Sequence, residues 1–209
     1  MAKSGKAKLF RRTSKNLPEQ KIIGIFCEGA SELQYFKMLQ RKYGKSNVGA
    51  HKMNIKQLKG KKGISIITAA TAQRYSIPDL DEVYVVFDCD DLTKNDIQQS
   101  MSMAKKKNIQ IIFSNINFEI WILMHFEPVS RIFTKKELNR KLADNKHFNL
   151  GRNTYDHFKG SEYGPFLEDK VKIAVANGKS LYRSNNDMVN SQPYTNVQEF
   201  INPIFGRED

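Results

Sequence analysis

Cysteine is scarce in this chain: its 209 residues include only Cys27 and Cys89. Each of the two adjoins an acidic segment at the predicted end of a strand. Such isolated cysteines are typical of reduced, small packing residues in the cytoplasm, and a redox or disulfide pair is the alternative interpretation. The scarcity of cysteine therefore favours a cytoplasmic protein.

Long apolar runs are missing as well. No stretch approaches the roughly 18–20 consecutive apolar residues that a membrane-spanning helix needs. The basic N-terminal segment also lacks the apolar region of a signal peptide. We therefore expect a cytoplasmic location and no membrane partner.

Several catalytic signatures are absent. The sequence has no GxxxxGK[ST] phosphate loop, no GxGxxG dinucleotide fingerprint and no GxSxG nucleophile elbow. These absences argue against an ATPase, a dinucleotide-dependent enzyme and a serine hydrolase. His51, His125, His147 and His157 have no metal-ligand spacing with cysteine or with one another, which indicates surface or core positions.

Acidic residues are outnumbered by basic ones. The chain has 34 Lys and Arg against 22 Asp and Glu, a net charge of +12. This excess favours a polyanionic partner, of which nucleic acid is the commonest, although a general contribution to solubility is the alternative. The positive charge is concentrated in a predicted flexible arm, residues 1–20, and in a loop around Gly60. The two groups are Lys3, Lys6, Lys8, Arg11, Arg12 and Lys15, and Lys56, Lys59, Lys61 and Lys62.

Strand and helix patterns alternate between residues 21 and 127. This alternation predicts an α/β, Rossmann-like core with a mostly parallel sheet flanked by helices. Residues 128–209 are predicted to be a helical extension that packs on that core. The predicted strands are 21–27, 49–58, 82–88 and 109–113, and the predicted helices are 30–43, 63–74, 93–107, 117–125, 134–144, 163–182 and 196–205.

Acidic residues follow two of the apolar runs directly. Glu28 comes after Ile22–Phe26, and Asp88 and Asp90 come after Val83–Phe87. Ligands of open α/β sheets bind beyond the carboxyl ends of the strands, so neighbouring strands would bring these three carboxylates together. Carboxylates repel one another unless a cation lies between them, and oxygen ligands suit a hard ion such as Mg²⁺ or Mn²⁺.

Each acidic residue also has a purely structural interpretation. Glu28 suits either the favourable dipole at a helix start or a role as metal ligand and general acid/base. Glu32, one helical turn on, suits either a solvated position or metal contact. Asp88 and Asp90 point the same way in an extended segment, whereas Asp91 is expected to cap the next helix.

A third candidate group follows the predicted strand 109–113. Ser114 and Asn115 lie at its end, where they are expected to contact substrate, as are Lys59, Lys61 and Lys62 in the basic loop. Glu119 lies within a very apolar segment. Because a buried carboxylate is costly when unpaired, Glu119 needs either a basic side chain or a metal ion as its partner.

These motifs together resemble the Toprim domain, the metal-binding α/β module of topoisomerases, bacterial primases and overcoming-lysogenization-defect nucleases. More specifically, the chain resembles the RloB/AbiLii family of Toprim-like proteins. The matching stretches run in order from about residue 21 to the C-terminus. They are Cys27-Glu28-Gly29, Glu32-Leu33-Gln34-Tyr35-Phe36, Val85-Val86-Phe87-Asp88-Cys89-Asp90-Asp91, Ser114-Asn115, Phe118-Glu119-Ile120-Trp121, Leu123-Met124-His125-Phe126 and Gln192-Pro193-Tyr194-Thr195-Asn196-Val197.

The resemblance implies the effector of a bacterial abortive-infection or restriction-associated defence system, often encoded beside an ABC-type ATPase. It implies Mg²⁺-dependent cleavage of phosphodiester bonds in DNA or RNA. DNA, messenger RNA and transfer RNA all suit a basic surface, and the sequence leaves the choice among them open. By this analogy Glu28 is an acid/base or metal ligand, Asp88 and Asp90 hold the metal, and Glu32 and Glu119 complete one or two sites.

The same resemblance marks Lys159 as a phosphate-contacting candidate. The family tends to carry a Tyr-x-Lys element, and the stretch Tyr155–Lys159 departs from that spacing. The alternative function is a catalytically silent Toprim-like module that binds nucleic acid or an ATPase of the ABC or AAA type. Nucleotidyl transfer as in primases is disfavoured, since the chain shows no zinc-binding segment. A homo-oligomer remains an open alternative.

Overall fold

A five-stranded, mostly parallel sheet organises the computed structural model, which describes residues 21–44, 51–77 and 79–206. The predicted arm at residues 1–20 lies outside the described residues. The strands are β1 (Ile22–Cys27), β2 (Lys52–Gln57), β3 (Glu82–Asp88), β4 (Gln110–Asn115) and β5 (Tyr194–Thr195). Their spatial order is β2-β1-β3-β4-β5, and the first four are parallel while β5 pairs antiparallel to β4. The predicted α/β class is confirmed.

Helices connect the strands and cover both faces of the sheet. The helices of the core are α1 (Ala30–Gly44), α2 (Ile64–Ser76), α3 (Lys94–Lys107) and α4 (Glu119–Leu123). Since parallel neighbours need crossover connections, the alternation seen in the sequence produces this arrangement. Thr93 caps α3 in a capping box with Asp96, and Asn108 ends it with a left-handed φ of 49°.

The sheet separates two apolar cores because successive strand side chains point to opposite faces. Ile23, Ile25 and Cys27 of β1 pack with α1, α4 and the later helices. Phe26 of β1 packs on the other side, where Ile66 and its neighbours on α2 meet α3. In β3 the same alternation places Asp88 on the face of Tyr84 and Val86, and this placement matters for the site.

The C-terminal region is mainly helical, as predicted, but it also completes the sheet. Its helices are α5 (Lys135–Ala143), α6 (Tyr155–Phe158), α7 (Gly164–Leu167), a 3₁₀ helix (Glu168–Lys170), α8 (Val171–Tyr182) and α9 (Val197–Phe205). The single helix predicted over 163–182 is thus divided, and 117–125 contains only the five-residue α4. The two residues of β5 pair with Ser114 and Asn115, a contact too short to be visible as a sequence pattern.

The extension and the core share one hydrophobic cluster, to which α8 contributes Val171 and Ala174 and α9 contributes Ile201. Phe205 of α9 stacks on Phe36 of α1, with ring centroids 6.3 Å apart. The two regions are therefore joined by buried apolar packing. None of the helices in the described ranges combines the length and the apolar character needed to cross a bilayer.

Candidate functional site

The carboxyl ends of β1, β3 and β4 meet at one edge of the sheet. Cys27 at the end of β1 pairs with Val86 of β3, and Asp88 at the end of β3 pairs with Ser114 of β4. The segments that follow these strands therefore emerge side by side. This edge holds the acidic residues that the sequence singles out.

Glu28 links the first two of these strand ends. Its backbone N–H donates to the Val86 carbonyl at 2.9 Å, and its Oε2 accepts a hydrogen bond from the Asp88 backbone N–H at 3.4 Å. Burial raises the pKa of Glu28; the Asp88 N–H opposes the increase, and the charge of Asp90 adds to it. Glu28 is thus a half-buried carboxyl held directly against the end of β3.

Asp88 and Glu32 are more deeply buried, with only 7% and 3% of their surface exposed. Burial raises the pKa of Asp88 well above its usual range, and the charges of Glu32 and Glu119 raise it further. Burial likewise raises the pKa of Glu32 to about 8, with Glu119 adding to the effect. Gly29 leaves room for Glu32, because a Cβ at Gly29 would lie 2.5 Å from the Glu32 Oε2.

Glu119 is fully buried and pairs with Lys159. Its Oε1 lies 3.1 Å from the Lys159 Nζ and accepts a hydrogen bond from the Ser31 hydroxyl at 2.9 Å. Burial alone would lower the pKa of Lys159, but the charge of Glu119 and the hydrogen bond to it raise that pKa overall. Of the two partners left open for Glu119 by the sequence, the structure thus shows the basic side chain.

A chain of hydroxyls behind Glu119 was missed by sequence reasoning. The Ser31 hydroxyl lies 3.0 Å from the Tyr163 hydroxyl, which is 3.1 Å from that of Tyr155 and also accepts a hydrogen bond from the Gly160 N–H. A Cβ at Gly160 would lie 2.6 Å from the Ala30 Cβ, so only glycine allows this approach to α1. Tyr155 begins the stretch Tyr155–Lys159 that was compared with the family's Tyr-x-Lys element, whereas nothing in the sequence around Tyr163 marks it as a site residue.

Asp90 and Asp91 form the tip of the turn after β3 and pair with lysines from different elements. Lys135 of α5 places its Nζ 2.5 Å from the Asp90 Oδ1, and Lys62 places its Nζ 3.4 Å from the Asp91 Oδ2. Asp90 has a left-handed φ of 37°, and the Leu92 N–H closes the turn on the Cys89 carbonyl. Asp90 is therefore not in an extended segment, and the strand alternation that predicts a shared direction for Asp88 and Asp90 does not apply to it. Lys135 was not singled out by the sequence.

The remaining predicted substrate residues divide into buried and exposed ones. Ser114 is buried and its hydroxyl lies 3.1 Å from that of Thr195, while the Asn115 amide donates to the Ser191 carbonyl at 3.3 Å. Both side chains thus hold the segment around β5 against β4. Lys59 and Lys61 are exposed in the loop after β2, and Lys62 is partly exposed. Because β2 is parallel to β1, this loop lies at the acidic edge.

The carboxylates suit a hard cation in chemistry but do not form a preassembled metal site. Among the residues described, no three His, Cys, Asp or Glu side chains are grouped closely enough to hold a metal ion. Within the same ranges, however, the Asp88 Oδ1 and Glu119 Oε2 are buried without a hydrogen-bond partner. Buried oxygens of this kind are costly unless a ligand satisfies them, and a divalent cation would do so.

A model of the RloB-like protein family matches residues 23–204 of the chain. The match spans both the parallel core and the helical C-terminal region, and it includes every site residue described above. No curated protein and no solved structure matches the chain significantly.

Proposed function

Because this chain belongs to the RloB-like protein family, we propose that it is a Mg²⁺- or Mn²⁺-dependent nuclease that acts in bacterial defence against phage. The observation that carries the proposal is the pair of buried, unpartnered carboxylate oxygens, Asp88 Oδ1 and Glu119 Oε2, at the carboxyl edge of the sheet. In this proposal the substrate is a phosphodiester bond of a nucleic acid. An ABC- or AAA-type ATPase partner controls the nuclease activity.

Asp88, Glu32 and Glu119 would hold the cation, with Glu28 and Asp90 at its solvent side. A divalent cation bound there would polarise a phosphate oxygen and lower the pKa of an attacking water. Glu28 is the candidate acid/base, since its carboxyl is half buried and is oriented by the Asp88 N–H. The residues around the cation thus divide into holding and proton-transferring groups.

Lys159 is suited to bind a substrate phosphate. Its Nζ already contacts a carboxylate oxygen, and 38% of its side chain is exposed. A phosphate oxygen at the mouth of the site would therefore meet an ammonium group that stays charged at neutral pH. Lys59 and Lys61 lie at the same edge and would add contacts to neighbouring phosphates.

The lysine pairs also favour a second candidate function, a silent module that binds nucleic acid or an ATPase without cutting. Lys159 and Lys135 already neutralise Glu119 and Asp90, as a cation would. A site in which lysines permanently replace the cation would retain the fold and the basic surface but not the chemistry. The two candidates differ in whether divalent cations displace these lysines.

The test is cleavage of supercoiled plasmid, linear DNA and total RNA by the purified protein with Mg²⁺, Mn²⁺ or EDTA. Asp88→Asn is the diagnostic variant, because it removes a charge while keeping the side chain's shape. Lys107→Gln, which changes the charge of an exposed residue at the far end of α3, is the control for substitution remote from the site. The nuclease proposal expects metal-dependent cutting that Asp88→Asn abolishes and Lys107→Gln retains.

Other outcomes separate the alternatives. Binding of nucleic acid without cutting, both alone and with a candidate ABC- or AAA-type ATPase partner added, would support the silent module. Cutting that persists in Asp88→Asn would exclude the carboxylate site as its origin. The nature of the cut molecule would decide between DNA and RNA.

A further inference from the structure

The acidic turn after β3 lies between two basic elements. Lys62, in the loop between β2 and α2, contacts Asp91, while Lys135, at the start of α5, contacts Asp90. Because Asp90 and Asp91 are consecutive, the loop and the helix border the same turn. Lys59, Lys61 and Lys62 of the loop are predicted to bind substrate, whereas α5 has no role in the proposed chemistry.

Helix α5 carries its charge on the side that faces solvent. Leu138 and Leu142 are fully buried and anchor the helix to the core. A rotation of about 100° per residue places Lys136 and Arg140, four positions apart, on the opposite side. Both are exposed, and neither has an ion pair within residues 21–44, 51–77 and 79–206.

The neighbouring residues on α5 are engaged, in contrast. Glu137 caps the helix at Thr134 and contacts Arg131, and Lys141 contacts Glu127 at 2.9 Å. The surrounding stretch, residues 131–160, holds eight Lys or Arg against three Asp or Glu. The unpaired charges are therefore part of a region with a local positive excess, beside an otherwise acidic site.

We propose that Lys136 and Arg140 of α5 form a phosphate-binding surface that holds a nucleic acid strand across the acidic turn, opposite Lys59 and Lys61. The proposal rests on the proposed function and identifies where its substrate lies. Two positive elements on either side of a carboxylate site suit a chain of evenly spaced phosphates, since flanking phosphates meet cations while the central one reaches the carboxylates.

The test measures binding of fluorescently end-labelled single-stranded DNA, single-stranded RNA and duplex DNA. Fluorescence anisotropy reports the binding, in the presence of EDTA and over a series of salt concentrations. The test variant is Lys136→Gln/Arg140→Gln. The matched control, Lys105→Gln/Lys106→Gln, removes the same charge from exposed residues in the last turn of α3. That turn is about 20 Å from the start of α3, which adjoins the acidic turn.

We expect the α5 variant to bind about tenfold more weakly. The slope of log K against the logarithm of the salt concentration should be smaller in magnitude by roughly 1.5, because the variant loses two phosphate contacts and each contributes about 0.7–0.9. The α3 control should bind like the unchanged protein. An equal loss of affinity in both variants would show that only the net charge of the protein matters and would overturn the proposal. Unchanged binding by the α5 variant would overturn it as well. Absence of binding to all three probes by the unchanged protein would overturn it too.

Failure of the proposed α5 surface can be distinguished from failure of the proposed nuclease activity. Unchanged binding in Lys136→Gln/Arg140→Gln, together with metal-dependent cutting abolished by Asp88→Asn, would reject the α5 surface alone. Weaker binding in the α5 variant without any cutting would retain the surface and reject the nuclease. Circular dichroism of both variants confirms the fold, which we expect to persist because all four lysine and arginine side chains are exposed.

Discussion

The two faces of the sheet differ in what they bury. The face covered by α2 and α3, here called the apolar face, packs residues such as Ile66, Val85 and Phe87. The face covered by α1, α4, α8 and α9, the polar face, also buries Glu32 and Glu119, and it continues to Asp88 at the end of β3. Charged groups are costly to bury without partners, and the site proposed above lies on the face that bears this cost.

Truncation on the apolar face should have the largest effect on stability and none on chemistry. Ile67→Ala on α2 removes a fully buried side chain, and we expect a loss of about 3–4 kcal/mol in the free energy of unfolding. Urea denaturation measures the loss, with Tyr75→Ala, at an 85% exposed position of the same helix, as control. A reduction in nucleic acid binding by the folded Ile67→Ala protein would contradict the division between the faces.

On the polar face, removal of a charge partner should be nearly as costly. Lys159→Met leaves the buried Glu119 carboxylate without its cation, and we expect a loss of about 3 kcal/mol, at the lower end of the range for broken buried pairs because Lys159 is partly exposed. Denaturant unfolding at neutral pH provides the value. The double variant Glu119→Gln/Lys159→Met removes both charges and should recover most of the stability. Equal stability of Lys159→Met and the unchanged protein would show that Glu119 does not depend on Lys159.

His125 provides a pH-dependent contrast between the faces. It is fully buried on the polar face, where its Nδ1–H donates to the Trp121 and Ile122 carbonyls and its Nε2 accepts from the Tyr35 hydroxyl. Burial lowers the pKa of His125 to about 3, and the two carbonyls only partly oppose this. Both ring nitrogens are thus occupied by hydrogen bonds within the core, and the lowered pKa keeps the imidazole neutral there.

The sign of its contribution follows from proton uptake. The unfolded chain binds a proton at His125 near pH 6.5 and the folded protein does not, so this contribution is fully present above that pH and is lost as pH falls toward about 3. Between pH 7 and pH 5 the loss should be about 2 kcal/mol. His125→Gln should be less stable at pH 7 but should show a flatter pH dependence in urea titrations. Parallel pH profiles for the two proteins would refute this assignment.

The sequence predicted those features that depend on chain-local patterns. Apolar runs indicated β1, β3 and β4, and their parallel order followed from the helices between them. Since acidic residues come directly after these strands, their shared location at one edge could also be predicted. The resemblance to the family also marked Glu119, within a very apolar segment, as a candidate residue of the same site.

The partners of those acids could not be predicted, because they come from distant parts of the chain. Lys159 meets Glu119 across 40 positions, Tyr163 meets Ser31 across 132, and Lys135 meets Asp90 across 45. None of these pairs leaves a periodic signal, since each depends on how the C-terminal helices pack against the core. The acidic residues and Lys159 were therefore visible in the sequence, whereas the pairing of Glu119 with Lys159 and of Asp90 with Lys135, and the chain of hydroxyls, required the tertiary structure.

Lys135 should show the smallest effect on stability, and it sharpens the comparison with Lys159. Both lysines come from the C-terminal region and pair with a candidate carboxylate, but the Lys135 side chain is 51% exposed and that of Asp90 is 28% exposed. Ion pairs that water reaches contribute at most about 1 kcal/mol, so Lys135→Met should reduce the free energy of unfolding by less than that. Its effect should also fade at high salt, whereas that of Lys159→Met should persist because salt screens buried pairs much less. A loss in Lys135→Met equal to that in Lys159→Met would show that the exposed acidic turn depends on its lysine as much as the buried Glu119 does, and would contradict the comparison.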